Sequence, residues 1–401
     1  MIRIIAILSA LALTACTAKA PLSSEVVRSE MARNPEASYI DGLGGTLKWN
    51  YTTGLELKAM LDACCHSERS EESRSFGKPQ DDILDYVDAW YDAVIAEDGT
   101  IGGKYKKSNY SSDHICPGRT LFRLYELTGK EKYRKAMDKL YEQIQEMPRT
   151  PEGGFWHKKI YPDQMWLDGL YMVEPFYAEY TTLYVPAEQQ AACFADIAHQ
   201  FTLVAGRTYD PATKLYRHAW DASRSMFWCD PETGQSQHAW GRALGWYCMA
   251  LVDVLPFIPD GTQGKSCMIS ILRGIINTLP QYADPETGMW FQVLDRPGAE
   301  GNYVEATASA MFIYAMLKGC RYGWLDCLDY AKTCYGQLLD TFVTVDENGL
   351  VNLNQCCEVA GLGGKENRSG DYDYYIHERV RANDPKGIGP LIWAALEYER
   401  L

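Results

Sequence analysis

The sequence predicts an all-α protein in which helical hairpins are arranged as a toroid. From about residue 40 onward, apolar residues recur at spacings of three and four, which is typical of amphipathic helices. Pairs of such segments follow one another at a regular spacing, and their connections alternate between short turns and long loops rich in Gly, Asp, Trp and Tyr. We expect the long loops to gather at one end of the toroid and to form the functional site there.

Eleven segments carry the helical pattern. In chain order they are 53–64, 82–97, 115–128, 131–147, 166–184, 187–207, 239–255, 266–281, 304–319, 325–342 and 390–401. Asp-Pro pairs at Asp210, Asp230 and Asp284 lie between helices, and the last two continue as Asp-Pro-Glu-Thr-Gly. Because Pro fixes a turn and Gly supplies its left-handed position, these pairs indicate loop turns.

The first sixteen residues are typical of an export signal. Arg3 supplies a positive start, and the apolar run 4–13 is too short to span a bilayer. The run ends in Leu-Thr-Ala followed by Cys16, a pattern similar to a bacterial lipobox in which Cys16 is lipid-modified. The sequence therefore predicts an exported lipoprotein, anchored to a membrane and located in the periplasm or on the outer surface.

Three further parts follow the signal. Residues 17–38 are expected to form a polar leader, and residues 39–401 a single catalytic barrel. Within the barrel, residues 64–80 are polar, mixed in charge and poor in apolar residues, which indicates a disordered or extruded loop insertion.

Composition restricts the partners. The net charge of −14 disfavours binding to nucleic acid through bulk electrostatics, and it requires any site for an acidic sugar to be locally basic. No Cys or His pattern has the spacing of a zinc site, so we expect no metal. The sequence leaves the oligomeric state open.

Two aspartates stand at predicted helix starts among aromatic residues. Asp168 follows Trp166 and Leu167, and we expect apolar neighbours to raise its pKa, as an acid catalyst working near neutrality requires. Asp113 also precedes a helix, and two carboxylates at successive helix starts can face one cavity and act on a glycosidic bond. The alternative for both is a simple helix cap.

A second cluster surrounds the helix start in the motif HAWGRALGWYCMALVD. Arg242 stands between Trp240 and Trp246, an arrangement suited to holding a carboxylate against a stacked ring. Upstream, the motif HAWD contains His218, although a single His in a loop is more often structural than catalytic.

Six motifs in order resemble glycoside hydrolase family 105, the unsaturated rhamnogalacturonyl hydrolases, which are related to the unsaturated glucuronyl hydrolases. They are PRTPEGGFWHK, YPDQMWLDGLYM, HAWD, WGRALGWYCMALVD, ETGMWFQVLD and NDPKGIGP. The resemblance runs from about Trp49 to the end of the chain. It implies an (α/α)6 barrel, six helical hairpins closed into a ring, in agreement with the toroid that the helical pattern predicts.

The resemblance also implies a mechanism without a cofactor. Asp168 protonates carbon 4 of the unsaturated uronic acid and then acts as base on the water that adds at carbon 5, while Asp113 binds and orients the ring. The resemblance assigns binding of the ring to six further residues: Tyr51, His157, His218, Trp240, Arg242 and Trp246. The implied substrate is an oligosaccharide that a pectin lyase has cut.

Three alternatives stay open at this stage. The same chemistry could act on unsaturated glucuronyl oligosaccharides from another polysaccharide. A non-catalytic, sugar-binding lipoprotein would not need both aspartates. A sugar isomerase on the same barrel would require paired catalytic histidines, which the 7 His of the chain do not clearly supply.

Overall fold

A computed structural model describes residues 20–67 and 79–401. Thirteen α-helices occur in these residues. They are α1 Leu22–Arg33, α2 Tyr51–Ser67, α3 Pro79–Val94, α4 Arg119–Thr128, α5 Glu131–Glu146, α6 Leu167–Tyr184, α7 Ala187–Thr208, α8 Gly241–Val254, α9 Gln263–Thr278, α10 Ala306–Arg321, α11 Leu328–Phe342, α12 Tyr372–Ile376 and α13 Pro385–Glu399.

Twelve of these helices form two concentric rings. The inner ring consists of α2, α4, α6, α8, α10 and α13, and each of them pairs with one outer helix, in the order α3, α5, α7, α9, α11 and α1. Most inner helices are buried on nearly every face, since a helix enclosed by others has no solvent side, whereas α4 keeps a partly exposed face. In α8, for example, every residue from Gly241 to Val254 is buried. The predicted all-α toroid and the (α/α)6 barrel are confirmed.

The sixth outer helix is α1, which the sequence does not reveal. The prediction of a polar leader over residues 17–38 differs from the structure, because residues 22–33 form a helix that packs on α13 and α2. Val26 and Val27 are buried, and the Ser23 backbone N–H and hydroxyl both donate to the Glu399 carboxylate near the end of α13. The barrel is therefore closed by joining its first helix to its last.

Helix bounds differ from the predicted ones by a few residues, most of all at the start of the last helix. The last helix begins at Pro385, before the predicted start at residue 390, because the Asp384 carboxylate caps it by accepting from the Lys386 backbone N–H. Helix α2 continues through Ser67, so the first residues of the predicted insertion at 64–80 are helical.

Two predictions fall on other parts of the chain. Residues 68–78 of the insertion and residues 1–16 with Cys16 lie outside the described residues. Within the described ranges, no helix has both the length and the apolar character needed to cross a membrane.

Short antiparallel ribbons join the long loops at one end of the barrel. The strands are β1 Gln164–Trp166 with β2 Ala219–Asp221, β3 Val343–Val345 with β4 Val351–Leu353, and β5 Cys356–Cys357 with β6 Val380–Arg381. The N-terminal ends of the inner helices meet at this end, since every inner helix runs in the same direction. The ribbons and loops thus surround one group of helix N-termini, which favours negative charge there.

Candidate active site

Backbone hydrogen bonds between successive loops hold the site together. The Ser112 N–H donates to the His157 carbonyl at 3.0 Å, and the His157 N–H donates to the Gln164 carbonyl at 2.8 Å. On the other side of the ribbon β1–β2, the Leu167 N–H donates to the His218 carbonyl at 3.0 Å. Residues that are far apart in sequence are therefore placed side by side by main-chain bonds rather than by side-chain packing alone.

Asp168 occupies the first turn of α6 and is not its cap. The residue in the cap position is Trp166, and no side chain caps this helix. The Asp168 side chain is 14% exposed, and its Oδ2 lies 3.2 Å from Nε2 of His218, which is fully buried. Neither atom makes a well-aligned hydrogen bond within the described residues. A simple capping role is thus excluded for Asp168, and its carboxyl group stays available to a ligand.

The pKa of Asp168 is lowered, whereas the sequence predicts that it is raised. Burial has the largest single effect and pushes the pKa of Asp168 up, but His218, His157 and Arg242 together outweigh it, with His218 contributing most. The sequence-based expectation considered only the apolar neighbours in the chain. The imidazole that reverses the direction comes from a loop fifty residues later.

Asp113 lies in a short 3₁₀ turn, Ser112–His114, that precedes α4. Its Oδ2 lies 2.5 Å from the Lys158 ammonium and its Oδ1 lies 3.8 Å from Nε2 of His157. Burial raises the pKa of Asp113, but Lys158 and His157 outweigh burial, so that the pKa falls below its ordinary value. Asp113 is therefore an ionised hydrogen-bond acceptor at neutral pH, which suits binding of sugar hydroxyl groups.

His157 connects the two aspartates. Its ring stacks on Trp166 with centroids 4.4 Å apart, and its Nδ1 lies 3.0 Å from the Ser112 hydroxyl. Burial and the nearby Lys158 lower the pKa of His157 to about 4, against the attraction of Asp113 and Asp168. His157 therefore interacts electrostatically with both aspartates, and the single cavity between the two carboxylates stays a prediction.

Arg242 and its neighbours form the floor of the site. The Arg242 guanidinium lies 4.6 Å from the Trp240 ring and donates to the Cys357 carbonyl, while its Nε has no partner within the described residues. Trp240 and Trp246 are both 1% exposed, so they support the site more than they offer open faces for stacking. Tyr51, the first residue of α2, is near enough to Arg242 and both aspartates for their charges to affect its pKa.

Several residues of the site escape sequence reasoning. Lys158 directly follows His157 in the motif FWHK and could have been found as the cation beside an acidic residue. Tyr375, whose hydroxyl lies 2.7 Å from Nδ1 of His218, is 157 positions away in the chain and carries no motif. Glu305 caps α10 and accepts from the Ala308 and Cys357 N–H groups, which indicates a structural role.

The site combines the Asp168 carboxyl group, whose Oδ2 has no well-aligned hydrogen bond in the described residues, with several basic neighbours. His218, Arg242 and Lys158 supply that surrounding within an acidic protein. In the described part of the chain, no group of three or more His, Cys, Asp or Glu residues has an arrangement that could hold a metal ion. The arrangement can bind an anionic sugar and move a proton through Asp168.

Comparison with known sequences gives a consistent family. Residues 22–401 match the family model Glycosyl Hydrolase Family 88. The chain is 40% identical over 213 residues to Protein Atu3128 from Agrobacterium fabrum, which covers 50% of this chain and 89% of that protein. It is 26% identical over 310 residues to the unsaturated rhamnogalacturonyl hydrolase YesR from Bacillus subtilis, covering 76% of this chain and 78% of that protein.

Solved structures agree with this family. A family 105 glycoside hydrolase from C. acetobutylicum ATCC 824 superposes with a TM-score of 0.86 at 41% identity, covering 95% of this chain and all of that chain. The unsaturated glucuronyl hydrolase from Bacillus sp. GL1 superposes with a TM-score of 0.62 at 14% identity, covering 94% and 95% of the two chains, and shares the fold alone. The resemblance that the sequence motifs indicate is thereby confirmed.

Proposed function

Because the chain belongs to glycosyl hydrolase family 88, we propose that it releases the unsaturated uronic acid from the non-reducing end of lyase-generated rhamnogalacturonan oligosaccharides. The reaction is hydration of the double bond between carbons 4 and 5 of that sugar. The observation that carries this proposal is the pair of Asp168 Oδ2 and His218 Nε2, 3.2 Å apart, in the basic surrounding of Arg242 and Lys158. An acidic substrate and a proton-transferring carboxyl group are both accommodated there.

Asp168 serves the two proton transfers in turn. It donates its proton to carbon 4, and as carboxylate it accepts a proton from the water that attacks carbon 5. The product is a hemiketal at carbon 5. Ring opening then gives a ketone at carbon 5 and a hemiacetal at carbon 1, which breaks down and releases the neighbouring sugar. No net proton is gained or lost, because Asp168 ends in its starting state.

Substrate binding provides the protonated form of Asp168. The charge of Arg242 is one of the causes that lower the pKa of Asp168. A uronate carboxylate that pairs with Arg242 neutralises this charge, and a bound sugar ring excludes water from Asp168. Both effects raise the pKa of Asp168 when the substrate is present, which is the direction that an acid catalyst requires.

The choice of rhamnogalacturonan is supported by one relative. YesR, at 26% identity, is an unsaturated rhamnogalacturonyl hydrolase. The site residues described above contact the unsaturated ring itself, so the sugar that follows it is selected elsewhere. We therefore test the substrate separately from the reaction.

The test measures ultraviolet absorbance of the conjugated double bond in lyase-digested rhamnogalacturonan. We expect a steady loss of absorbance with the protein, a severe reduction with Asp168→Asn, and an unchanged rate with Asp163→Asn. Asp163 is a matched control, since it lies in the loop just before β1, five residues ahead of Asp168, at a φ of 58°, a conformation that Asn tolerates well.

Each other outcome has a distinct meaning. Loss of absorbance only with unsaturated glucuronyl disaccharides would replace the substrate and keep the reaction. No loss with either substrate, while the folded protein binds the oligosaccharide, would contradict the enzyme and favour the sugar-binding lipoprotein.

We further propose that Cys16 carries a lipid anchor that holds the site away from the membrane. The first residues of α1 lie at the far end of the barrel, since Ser23 bonds Glu399 at the end of α13 that is remote from the site. Five residues separate Cys16 from Leu22, and the six residue steps between them reach at most about 20 Å. Labelled palmitate should enter the protein and should be absent from Cys16→Ala, which should also leave the membrane fraction; equal labelling of both would contradict the anchor.

A further inference from the structure

A buried tyrosine contacts the imidazole that faces Asp168. The short helix α12 lies in the loop between α11 and α13 and brings Tyr375 against His218. The Tyr375 hydroxyl lies 2.7 Å from Nδ1 of His218, and neither residue has exposed surface. Tyr375 thus lies at hydrogen-bond distance from Nδ1 of His218, while Oδ2 of Asp168 lies 3.2 Å from Nε2 on the other side of the ring.

The position of Tyr375 is itself fixed by Gln292, in the loop before α10, and by Trp240, which precedes α8. The Gln292 side-chain amide donates to the Tyr375 carbonyl at 3.2 Å, and its carbonyl oxygen accepts from the Trp240 indole at 3.0 Å. The Trp240 and Tyr375 rings also stack with centroids 5.9 Å apart. A side chain with this many restraints has little rotamer freedom, so its hydroxyl group stays at Nδ1 of His218.

The chemistry of the phenol determines which tautomer of His218 it favours. Burial raises the pKa of Tyr375 well above its ordinary value, so the hydroxyl keeps its proton at any working pH. Towards a neutral imidazole the hydroxyl donates to Nδ1, which leaves the ring proton on Nε2, facing Asp168. When His218 is an imidazolium, its Nδ1–H donates and the phenol oxygen of Tyr375 accepts. Tyr375 can therefore hydrogen-bond to both protonation states of His218.

We infer that Tyr375 is a positioning residue that holds His218 with its Nε2 proton directed at Asp168 and stabilises the imidazolium form of His218. This inference rests on the proposed function of Asp168. Through His218, Tyr375 controls the pH range in which the Asp168–His218 pair shares a proton. His157, from the loop before β1, and Arg242, from α8, also act on Asp168. Tyr374, Asp295 and Cys357 act on Tyr375.

Tyr375→Phe keeps the ring and removes only the hydroxyl group. In the variant, the imidazolium of His218 has no acceptor for its buried Nδ1–H, a loss that corresponds to about one pH unit. We expect kcat to fall about tenfold with KM nearly unchanged, because the Tyr375 side chain is fully buried and has no surface to offer to a substrate. We also expect the alkaline limb of the kcat profile to move to lower pH by about one unit.

The matched control is Tyr372→Phe on the same short helix. It removes a hydroxyl group that donates to the Glu300 carbonyl at 2.9 Å, away from His218. We expect wild-type kinetics and a wild-type pH profile. If Tyr375→Phe keeps the wild-type pH profile, or changes kcat no more than Tyr372→Phe does, the inference is overturned.

A second readout does not depend on activity. In protein labelled with ¹⁵N-histidine, the shifts of the His218 nitrogens, assigned by their absence in His218→Gln, report the tautomer directly. We expect the Nε2–H tautomer in the wild type and a mixture in Tyr375→Phe; the same tautomer in both proteins would contradict the inference. An inactive wild-type protein with the expected shifts would instead count against the proposed function alone.

Discussion

Two buried aspartates in the barrel have similar electrostatics but opposite bonding. Asp253, near the end of α8 that is remote from the site, accepts from Arg119 at 2.8 Å and from Tyr314 and Lys318 at 2.6 Å each. Asp168 lies 3.2 Å from His218 without a well-aligned hydrogen bond at its Oδ2. Both pKa values are lowered against the effect of burial, by Lys318 and Arg119 for Asp253 and by His218 for Asp168.

The difference shows that a lowered pKa alone does not identify a functional carboxylate. Asp253 is 3% exposed and every neighbouring cation is used in bonding it, so no capacity is left for a ligand. Asp168 is 14% exposed and keeps bonding capacity at its Oδ2. We expect Asp253 to contribute stability and Asp168 to contribute catalysis, and substitutions can separate the two.

The largest expected effect is on catalysis by Asp168→Asn. Asn cannot donate an acidic proton, so kcat should fall about a hundredfold to ten-thousandfold. The free energy of unfolding should stay within about 0.5 kcal/mol of the wild type, since no well-formed bond is lost. Absorbance kinetics and urea unfolding of the same preparation measure both quantities. Near-normal turnover would refute the assignment of Asp168.

The reverse result is expected for Asp253→Asn. Removing this charge leaves Arg119 and Lys318 buried without full compensation, which costs about 3–5 kcal/mol. Urea unfolding should show this loss, while kcat of the folded fraction stays unchanged. Asp260→Asn is the control, because Asp260 is 95% exposed in its pair with Lys265 and such pairs contribute about 1 kcal/mol or less. An equal loss of unfolding free energy in Asp253→Asn and Asp260→Asn would contradict the stabilising role that we assign to Asp253.

A third carboxyl group, Glu30 of α1, has a smaller expected effect on the free energy of unfolding. Its pKa is raised whereas those of Asp168 and Asp253 are lowered, so its contribution to stability changes with pH in the opposite direction. Burial raises the pKa of Glu30 to about 7, in spite of its ion pair with Arg33. The folded protein therefore holds this proton more tightly than the unfolded chain. The corresponding stability is fully present below pH 4.5 and is lost as the pH rises through about 7.

Glu30→Gln should remove the loss of stability that the wild type shows as the pH rises. Relative to the wild type, its free energy of unfolding should improve by about 1–3 kcal/mol between pH 4.5 and 8. Unfolding by urea over this pH range measures it. Glu25→Gln is the control on the same helix, since Glu25 is more exposed and pairs with Arg28 at 2.6 Å. A parallel pH dependence of wild type and Glu30→Gln would contradict the raised pKa of Glu30.

The helical periodicity predicts most of the barrel, and its failure at α1 has a physical cause. The residues that α1 buries include Ser23 and Ser29, which bond to distant parts of the chain, and Glu30, which pairs with Arg33 three residues later. A helix that packs through such residues shows no clear apolar stripe. The polar leader expected at residues 17–38 is thus a consequence of judging burial by residue type.

The sequence predicts only part of the site, because contacts between distant parts of the chain again decide the rest. Motifs that are continuous in the chain reveal Asp113, Asp168 and Arg242, because their neighbours in sequence are also their neighbours in space. The motif HAWD also reveals His218, but the contacts of His218 with Asp168 and with Tyr375 join different loops, and no local pattern records such contacts. The direction of the pKa shift of Asp168 depends on one of these contacts, so the sequence could not supply it.

The most direct test of the reaction is to run it in D₂O and to follow the released sugar by NMR. We predict that deuterium enters carbon 4 of the released uronic acid derivative while the double-bond absorbance disappears. With Asp168→Asn, we expect no deuterium at carbon 4 and no loss of absorbance. An oligosaccharide that is cleaved with its double bond intact and without deuterium at carbon 4 would contradict hydration by Asp168.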